Sequence, residues 1–249
     1  MKTLLNFIFI HDQEILVDFI EKNRFQSLEG FKYVFLGNRP CDKIEHLDNV
    51  IIARNLEDNI EHLPKLTSFT GWYALYKNGY LDSEYVNLFE YDIHYVSGFP
   101  AINKEMLNTE FDFAGYFPMF INDAVYLKHT QYTKELIESI EKKFGYNIAE
   151  YIHELEKTNP QMLWSSSSNS TWRTEVLKKY IDWFCNFIDD ISQSQYCGHM
   201  HERSLSFYYF KENLKVFLTR DLMIHVQLNS HGTSPLPPER AKKLYSYLR

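Results

Sequence analysis

Two carboxylates lie close together in the chain where an apolar segment ends. The segment 86–89 is followed directly by Glu90 and, two residues later, by Asp92. In an extended chain, residues i and i+2 point to the same side, so both side chains can converge on one point. Neighbouring carboxylates repel each other unless a cation joins them, and a hard divalent cation binds such oxygens while leaving positions for phosphate oxygens. The pair indicates a cation site, the alternative being a solvated acidic pair at a strand end.

The elements that must position this pair favour the cation site. Four short apolar runs predict strands at residues 5–10, 31–36, 49–53 and 85–89. Apolar residues at helical spacing predict helices at 15–22 and 66–77. Because most of the strands are apolar throughout rather than alternating, they are typical of a parallel or mixed sheet covered on both faces. In such sheets ligands bind at the carboxyl ends of the strands, which is where the acidic pair follows.

The second half of the chain continues the α/β pattern. Strands are predicted near 113–116 and at 222–227, and helices at 131–144, 148–156, 173–191, from about 202 onward and within 235–249. No internal repeat or long linker divides the chain. We therefore expect one α/β domain over residues 1–249.

Composition excludes several classes of protein. The 249 residues carry a formal net charge of −7 and no basic tract, which argues against nucleic acid as a partner. Three scattered cysteines indicate neither a disulfide framework nor a zinc site, so a cytoplasmic location is expected. The apolar amino-terminal run meets His11 and Asp12 without a cleavage site, so it predicts a buried strand rather than a signal peptide. No stretch has the length of a membrane span, although peripheral membrane association stays open.

In the order of its elements over residues 3–95, and in the segment FEYDIHY at 89–95, the chain resembles GT-A-type glycosyltransferases, especially small bacterial transferases of surface polysaccharides. The segment is similar to the Asp-x-Asp signature of that family, with Glu90 in place of the first Asp. The resemblance implies a GT-A-like nucleotide-binding fold with a mixed, mostly parallel central sheet flanked by helices. Residues 1–95 would form the nucleotide-sugar-binding half and 96–249 the acceptor-binding half. It also implies that Asp92 holds Mn²⁺ or Mg²⁺ and that Glu90 binds the metal or the ribose.

Three further residues are candidates for donor binding. His11 follows the first strand and is expected to contact the base or ribose, unless its segment only forms a loop in which Asp12 caps the first helix. Arg54 follows the third strand and could bind a diphosphate, the alternative being a surface ion pair with a nearby acidic residue. Lys77 could meet phosphate, or could be a solvated lysine on a helix of core aromatics.

The segment WSSSSNSTW at 164–172 has the composition of a sugar site. Aromatic rings stack on the apolar faces of sugars, while hydroxyls and amides bind sugar hydroxyls. Asn169 and Trp172 are therefore predicted acceptor contacts. The alternative is that the segment caps the helix that follows it.

Glu202 is the predicted catalytic base. Inverting transfer requires a carboxylate that takes the proton of the acceptor hydroxyl. The resemblance implies such a base in the second half of the chain near a helix start, where Glu202 stands, with Arg203 orienting it or meeting the diphosphate. Two alternatives stay open. Glu202 could serve only the helix dipole, or His199 and His201 could form a metal site, because an HxH segment points both rings one way when extended.

A late histidine is expected to complete the metal site begun by Asp92. His231 is the first choice because it lies in a predicted loop before Gly232, and His225, within a predicted strand, is the second. The resemblance implies this arrangement, since several GT-A families add such a histidine.

The predicted function is metal-dependent transfer of a sugar from a nucleotide-sugar donor to a saccharide or glycolipid acceptor, in surface polysaccharide synthesis. The stereochemical outcome stays open. Two rival functions are a metal-dependent hydrolase that uses Asp92, His94 and late histidines, and a non-catalytic module that binds sugar or nucleotide.

Overall fold

The computed structural model describes residues 2–120, 131–145, 147–158, 163–165, 167–219 and 222–225. The strands are β1 (Leu4–Ile10), β2 (Phe31–Phe35), β3 (Val50–Ile52), β4 (Tyr85–Glu90), β5 (Ile93–Tyr95), β6 (Phe113–Gly115), β7 (Pro118–Phe120), β8 (Leu163–Ser165), β9 (Ser170–Arg173), β10 (Val216–Leu218) and β11 (Met223–His225). The helices are α1 (Gln13–Glu21), α2 (Ser68–Lys77), α3 (Phe99–Met106), α4 (Gln131–Phe144), α5 (Ile148–Thr158), α6 (Thr174–Cys185), α7 (Ile188–Ile191) and α8 (Cys197–Lys211). Two 3-10 turns cover Ala53–Asn55 and Pro64–Leu66.

A seven-stranded sheet forms the centre of the molecule, in the order β10-β6-β9-β4-β1-β2-β3. Strands β2 and β4 flank β1 in parallel, β3 continues the parallel order beyond β2, and β10 is parallel to β6. Only β9 runs antiparallel to its two neighbours in this sheet. The four predicted amino-terminal strands are confirmed, and the sheet is mixed and mostly parallel, as expected.

Successive residues of the central strands face two different cores. Phe7 and Phe9 of β1 pack into a core with α2, α6 and α8, whereas Ile8 and Ile10 pack into a second core on the opposite face of the sheet. Both sets are buried. This explains why β1 is apolar throughout, since a strand buried on both faces has no solvent side.

A buried polar network crosses the sheet, which the sequence did not predict. The Asn87 side-chain amide donates to Asn6 Oδ1 at 2.7 Å and to Asn103 Oδ1 at 2.8 Å. Thr171 Oγ1 donates to Asn87 Oδ1, so Tyr116 must donate its hydroxyl proton to Thr171. The network joins β1, β4, β9 and α3. Because a buried polar group without a partner is costly, the network fixes the position of β9 beside β4.

Two predicted helices differ from the observed ones. The helix predicted at 173–191 is divided into α6 and α7, and the Asn186 side chain at the break donates to the carbonyls of Asp182 and Trp183. The helix predicted to start near Glu202 begins at Cys197, so Glu202 is its sixth residue. The helix predicted within 235–249 lies outside the described residues. None of the described helices is both long and apolar enough to cross a membrane.

Candidate active site

A cleft of about 810 Å³ opens at the carboxyl ends of β1, β2 and β4. One wall is formed by the loops after β1 and β2, and the other by the first turns of α8. The beginning of α2 and the end of β4 lie between them. Residues of opposite charge line the cleft, namely the acids Glu90, Asp92 and Glu202 and the bases Arg39 and Lys65. The predicted location at the carboxyl edge of the sheet therefore agrees with the observed cleft.

Glu90 is held by the strand that runs against it. Because β9 is antiparallel to β4, with Ser170 opposite Leu88, the residues that precede β9 lie beside the end of β4. Asn169 Oδ1 accepts the Glu90 backbone N–H at 2.7 Å, and Ser168 Oγ donates to Glu90 Oε1 at 2.9 Å. The Asn169 amide in turn donates to Ser167 Oγ at 2.8 Å. The serine-rich segment thus positions a carboxylate.

The pKa of Glu90 indicates that the carboxylates of Asp92 and Glu202 lie near it. Burial is the largest cause that raises the pKa of Glu90, to about 7. The negative charges of Asp92 and Glu202 raise it further, while the nearby hydroxyl groups of Ser68 and Ser168 oppose the shift. The three carboxylates are therefore within electrostatic reach of one another, although they come from β4, the turn after it and α8. Such an accumulation of like charge is typical of a site that accepts a cation.

Asp92 lies in the two-residue turn between β4 and β5. β11 pairs antiparallel with β5 and places the backbone of His225 opposite Ile93, next to Asp92 in the sequence. Arg24 donates to the Ile93 carbonyl and lies within electrostatic range of Asp92. The position of the His225 side chain is outside the described part of the chain, and so is the whole of His231. Their predicted role as metal ligands stays a prediction.

Glu202 faces the cleft from the second turn of α8. Its Oε2 atom lies 3.6 Å from Arg203 Nη1 and 3.8 Å from His199 Nδ1. Burial, and secondarily the charge of Arg203, lower the pKa of His199, which favours a neutral ring at pH 7. Arg203 is 7% exposed and does not line the cleft, so its contact with Glu202 fits the orienting role better than contact with a diphosphate. The prediction that Glu202 opens a helix is wrong, whereas Glu202 does line the same cleft as Asp92 and Glu90.

The alternative metal site formed by His199 and His201 is wrong. The segment is helical, so residues i and i+2 point about 200° apart rather than the same way. His199 lines the cleft, whereas His201 is fully buried among Phe69, Trp72 and Tyr180. This burial lowers the pKa of His201 to about 3.

Neither predicted acceptor contact reaches the cleft. Trp172 and Asn169 are both fully buried. The Trp172 ring packs against Tyr180 and Phe113, and its Nε1 donates to Ser170 Oγ at 2.9 Å. The composition of the segment was read as that of a surface loop, but its end forms the interior strand β9. Ser168, which was not singled out, is the residue of this segment that lines the cleft.

Two predicted phosphate contacts also lie elsewhere. Lys77 is in the last turn of α2, whose opposite end lines the cleft, and pairs with Asp182 at 3.0 Å. Arg54 makes neither a cleft contact nor the alternative ion pair. Its guanidinium donates to the carbonyls of Gly37 and Arg39, within the loop after β2. The sequence could not predict these contacts of Arg54, because a residue's partners across a loop leave no signal in local spacing.

His11 lies where it was predicted. It lines the cleft at the end of β1, and its ring meets that of Tyr91 edge to face, with ring centroids 5.2 Å apart. Asp12 caps α1, accepting the backbone N–H groups of Glu14 at 2.9 Å and Ile15 at 3.2 Å. The nucleotide role of His11 and the capping role of Asp12 are therefore compatible.

The carboxylate oxygens that line the cleft are suitable ligands for a hard divalent cation. Glu90 and Asp92 offer carboxylate oxygens, and Mg²⁺-like ions bind through one or two carboxylates, with water and substrate phosphates completing the shell. Within the described ranges, no group of three or more His, Cys, Asp and Glu side chains is arranged to hold a metal by itself. His94, which the rival hydrolase would need, is exposed and is not part of the cleft lining. The arrangement fits an ion shared with a ligand rather than one enclosed by protein.

A second, larger depression of about 1,050 Å³ lies at the amino ends of β1 and β4. Its lining includes Asn6 and Asn103 of the buried network and the charged residues Lys2, Glu29 and Lys104. Size does not make it the better candidate. It lies at the edge of the sheet opposite to the one where such folds bind ligands.

Comparison with known proteins supports the fold. No protein-family model and no curated protein sequence matches the chain. The solved apo structure of the bifunctional glycosyltransferase WbbM matches 91% of this chain and 46% of its own length, with a TM-score of 0.59 and 15% sequence identity. This chain thus spans about half the length of WbbM. The likeness confirms the predicted α/β fold of the GT-A type.

Two structures of glucosyl-3-phosphoglycerate synthase from Mycobacterium tuberculosis are also similar. One contains Mn²⁺, UDP and glucosyl-3-phosphoglycerate, with 9% identity, and the other Mg²⁺ and UDP, with 10% identity. Each matches 99% of this chain, and the matches cover 77% and 78% of the synthase chains. Both TM-scores are 0.42, which is too low for any detail to be transferred.

Proposed function

We propose that the protein is a glycosyltransferase that moves a sugar from a nucleotide-sugar donor to a saccharide or glycolipid acceptor, with the help of Mn²⁺ or Mg²⁺. The observation that carries this proposal is the convergence of Glu90, Asp92 and Glu202 in one cleft, at the carboxyl edge of a sheet with the fold of a glycosyltransferase. A role in surface polysaccharide synthesis and a cytoplasmic location stay predictions from the sequence resemblance.

On the donor side, His11 at the end of β1 contacts the nucleoside, and Asp92 and Glu90 hold the cation. A bound divalent cation supplies Lewis-acid stabilisation of the charge that develops on the departing diphosphate. Asn169 and Ser168 keep the Glu90 carboxylate in place, through its backbone N–H and its Oε1 atom. Because these two hydrogen bonds to Glu90 are formed before the ligand arrives, little reorganisation of the carboxylate is needed on binding.

On the acceptor side, Glu202 accepts the proton of the attacking hydroxyl in an inverting reaction. Its Oε2 atom lies 3.6 Å from Arg203 Nη1, so the positive charge attracts and orients the carboxylate. Arg203 itself is anchored by burial within α8. Glu202 thus has the two properties that a base requires, which are access to the cleft and a fixed direction.

Two exposed rings replace the buried tryptophan as candidates for acceptor binding. Tyr196 and His199 both line the cleft beside Glu202, and their rings are nearly parallel, with an interplanar angle of 19°. Tyr196 is 39% exposed, which is unusual for a large hydrophobic residue among those that the structure describes. The apolar face of a sugar can stack on such rings. We propose them as the acceptor platform.

A thermal-shift panel tests the proposed function. UDP, GDP, ADP, CDP and dTDP are each measured with and without Mn²⁺. A ligand present at 100 times its dissociation constant adds about 2.7 kcal/mol to the free energy of unfolding, which is readily detected. We expect one nucleoside diphosphate to stabilise the protein strongly, and only with Mn²⁺. Stabilisation by nucleotide alone would instead indicate a binding module, and stabilisation by metal alone would indicate the hydrolase.

A further inference from the structure

We propose that Arg39 binds the diphosphate of the donor, and that Arg54 and Glu61 act as positioning residues that hold Arg39 at the cleft. This inference rests on the proposed function. It concerns the loop after β2, residues 37–41, which forms one wall of the cleft. The sequence predicts that Arg54 binds the diphosphate, but Arg54 does not line the cleft.

The first argument is the charge of the cleft. Its lining carries three carboxylates, Glu90, Asp92 and Glu202. A diphosphate brought among them needs positive charge beyond that of one divalent cation, because unscreened like charges disfavour binding. Among the described lining residues, Arg39 is the one arginine and Lys65 the one lysine.

Arg39 is the better placed of these two cations. Its side chain is 55% exposed, and the ion pair described for it, to Asp12 Oδ2, is 3.8 Å long and thus beyond hydrogen-bond distance. Lys65 Nζ already donates to the backbone carbonyl of Gln193, at 3.4 Å. A guanidinium also offers two parallel N–H groups that match phosphate oxygens, whereas an ammonium acts as a point charge.

The second argument is that two residues outside the loop hold its backbone in place by hydrogen bonds. Arg54 Nη1 donates to the Arg39 carbonyl at 2.6 Å and to the Gly37 carbonyl at 3.3 Å, and Nη2 donates to Cys41 Sγ at 2.9 Å. From the other side, the carboxylate of Glu61 accepts the backbone N–H of Gly37. Gly37 has a φ of +78°, a left-handed conformation that glycine adopts at little cost, and it lets the chain turn sharply out of β2.

The hydrogen bonds that Arg54 and Glu61 make with the loop form a clamp. The burial of Glu61 indicates what this clamp stabilises. Glu61 is 2% exposed, and burying a carboxylate costs free energy that an ordinary surface loop has no need to offset. The exposed residues of the loop, such as Asn38 and Arg39, make no contribution to the core. The clamp therefore serves the position of the loop itself. A loop whose backbone is already fixed loses less conformational entropy when it binds a ligand than a mobile loop does.

The decisive measurement compares ligands that differ by one phosphate. The nucleoside diphosphate that binds best in the panel above, and its monophosphate, are titrated calorimetrically with Mn²⁺ into the wild type and Arg39→Met. We expect the variant to weaken the diphosphate about tenfold to a hundredfold, the range of a charge-assisted hydrogen bond, and to change the monophosphate less than threefold. Arg173→Met is the matched control. Arg173 is 51% exposed and pairs with Asp112 away from the cleft, so its removal should change neither affinity.

A double-mutant cycle between Arg39 and Arg54 tests the clamp. Arg54→Lys keeps the charge but loses the fork that reaches three acceptors. If Arg54 acts through Arg39, then Arg39→Met should cost much less in the Arg54→Lys background than in the wild type. Circular dichroism verifies that both variants are folded.

The outcomes separate the two hypotheses. If the wild type binds no nucleoside diphosphate, the proposed function fails and this inference with it. If the wild type binds one but Arg39→Met binds it equally well, or loses the monophosphate to the same extent, the inference about Arg39 alone is overturned. Additive effects of Arg39→Met and Arg54→Lys would reject the clamp.

Discussion

The two ends of the central sheet use charge in opposite ways. At the amino end, both lysines that line the larger depression are paired, Lys104 with Glu29 at 2.7 Å and Lys2 with Glu84 at 3.8 Å. At the carboxyl end, burial and the charges of two further carboxylates raise the pKa of Glu90 to about 7. The first arrangement is stable without any ligand, whereas the second is relieved when a cation binds.

The same contrast holds for the buried polar groups. At the amino end the amide of Asn87 donates to the side-chain oxygens of Asn6 and Asn103, and so joins β4 to β1 and α3. At the carboxyl end the amide of Asn169 serves the backbone of Glu90, which is a residue of the cleft. Polar groups at one end thus maintain the fold, and those at the other position a site. Matched substitutions at the two ends therefore test whether the carboxyl end alone is functional.

The largest difference is expected for catalysis. Glu202→Gln keeps the shape of the side chain but cannot accept a proton, so turnover should fall by about 10²–10⁴-fold, the usual contribution of a general base. Binding of the nucleoside diphosphate should be unchanged. Glu105→Gln, in the lining of the amino-end depression, is the control and should leave turnover unaltered. Near-normal turnover of Glu202→Gln would reduce Glu202 to a residue that orients its neighbours on α8.

A smaller effect is expected for the metal. Asp92→Asn removes a negative charge from the cleft but preserves the turn between β4 and β5, so the fold should survive. We expect the Mn²⁺-dependent gain in nucleotide affinity to fall about tenfold to a hundredfold, since a contact between charged groups is lost. Asp82→Asn, at the amino-end depression, provides the comparison. Equal calorimetric affinity of Asp92→Asn and the wild type with Mn²⁺ would exclude a metal role for Asp92.

The pH dependence of stability should also differ between the ends. The folded-state pKa of Glu90 is raised from 4.5 to about 7, so its contribution to stability is fully present below pH 4.5 and is lost as the pH rises through 7. Because water in the cleft screens part of the effect, we expect a loss of about 2 kcal/mol. His201 acts in the opposite direction. Its pKa is lowered to about 3, and its contribution is lost as the pH falls below 6.5.

Because Glu90 and His201 change the free energy of unfolding in opposite directions with pH, the measurement must isolate the contribution of Glu90. The difference in free energy of unfolding between the wild type and Glu90→Gln, followed from pH 4.5 to 8, removes the contribution of His201. The wild type should lose stability relative to Glu90→Gln as the pH rises. Glu29→Gln is the comparison at the amino end. The hydrogen bond and the charge of Lys104 lower the pKa of Glu29, so its contribution is lost only below pH 4.5 and the difference should stay constant from pH 4.5 to 8. A difference for Glu90→Gln that does not vary with pH would contradict the crowding of carboxylates in the cleft.

The parts predicted from the sequence are those that depend on local pattern. Strand β1 is apolar at every position, because both of its faces are covered, and β4 leads into the Glu90–Asp92 pair. From these features the sequence predicted the order of the first elements, the edge of the sheet where the cleft opens, and His11, Glu90 and Asp92, which line that cleft. The fold class followed from the same pattern.

The parts that were missed depend on long-range pairing. Strand β9 has four residues, Ser170–Arg173, and its inward threonine is satisfied by Asn87, more than eighty positions away. Nothing in its own sequence distinguishes it from a polar loop, so Trp172 was placed at the surface. The early start of α8 was missed because Gly198 and two histidines are weak helix formers, and Gly198 is explained by its close packing on Thr67.

The smallest effect is expected at the proposed acceptor platform. Tyr196→Ala removes an exposed ring at the rim of the cleft, so the KM for a saccharide acceptor should rise about threefold to tenfold, in keeping with a stacking contribution of roughly 0.5–1.5 kcal/mol. The donor KM and the melting temperature should change little, because the ring is 39% exposed and lies outside the buried core. Tyr196→Phe keeps the stacking face and should retain most of the acceptor affinity. Phe217→Ala is the matched control, since Phe217 is 43% exposed on the edge strand β10 and is not part of the cleft lining. A rise in the donor KM instead would assign the Tyr196 ring to the nucleobase, and equal acceptor KM values for Tyr196→Ala and Phe217→Ala would leave the face of α8 beside Glu202 without a role in binding.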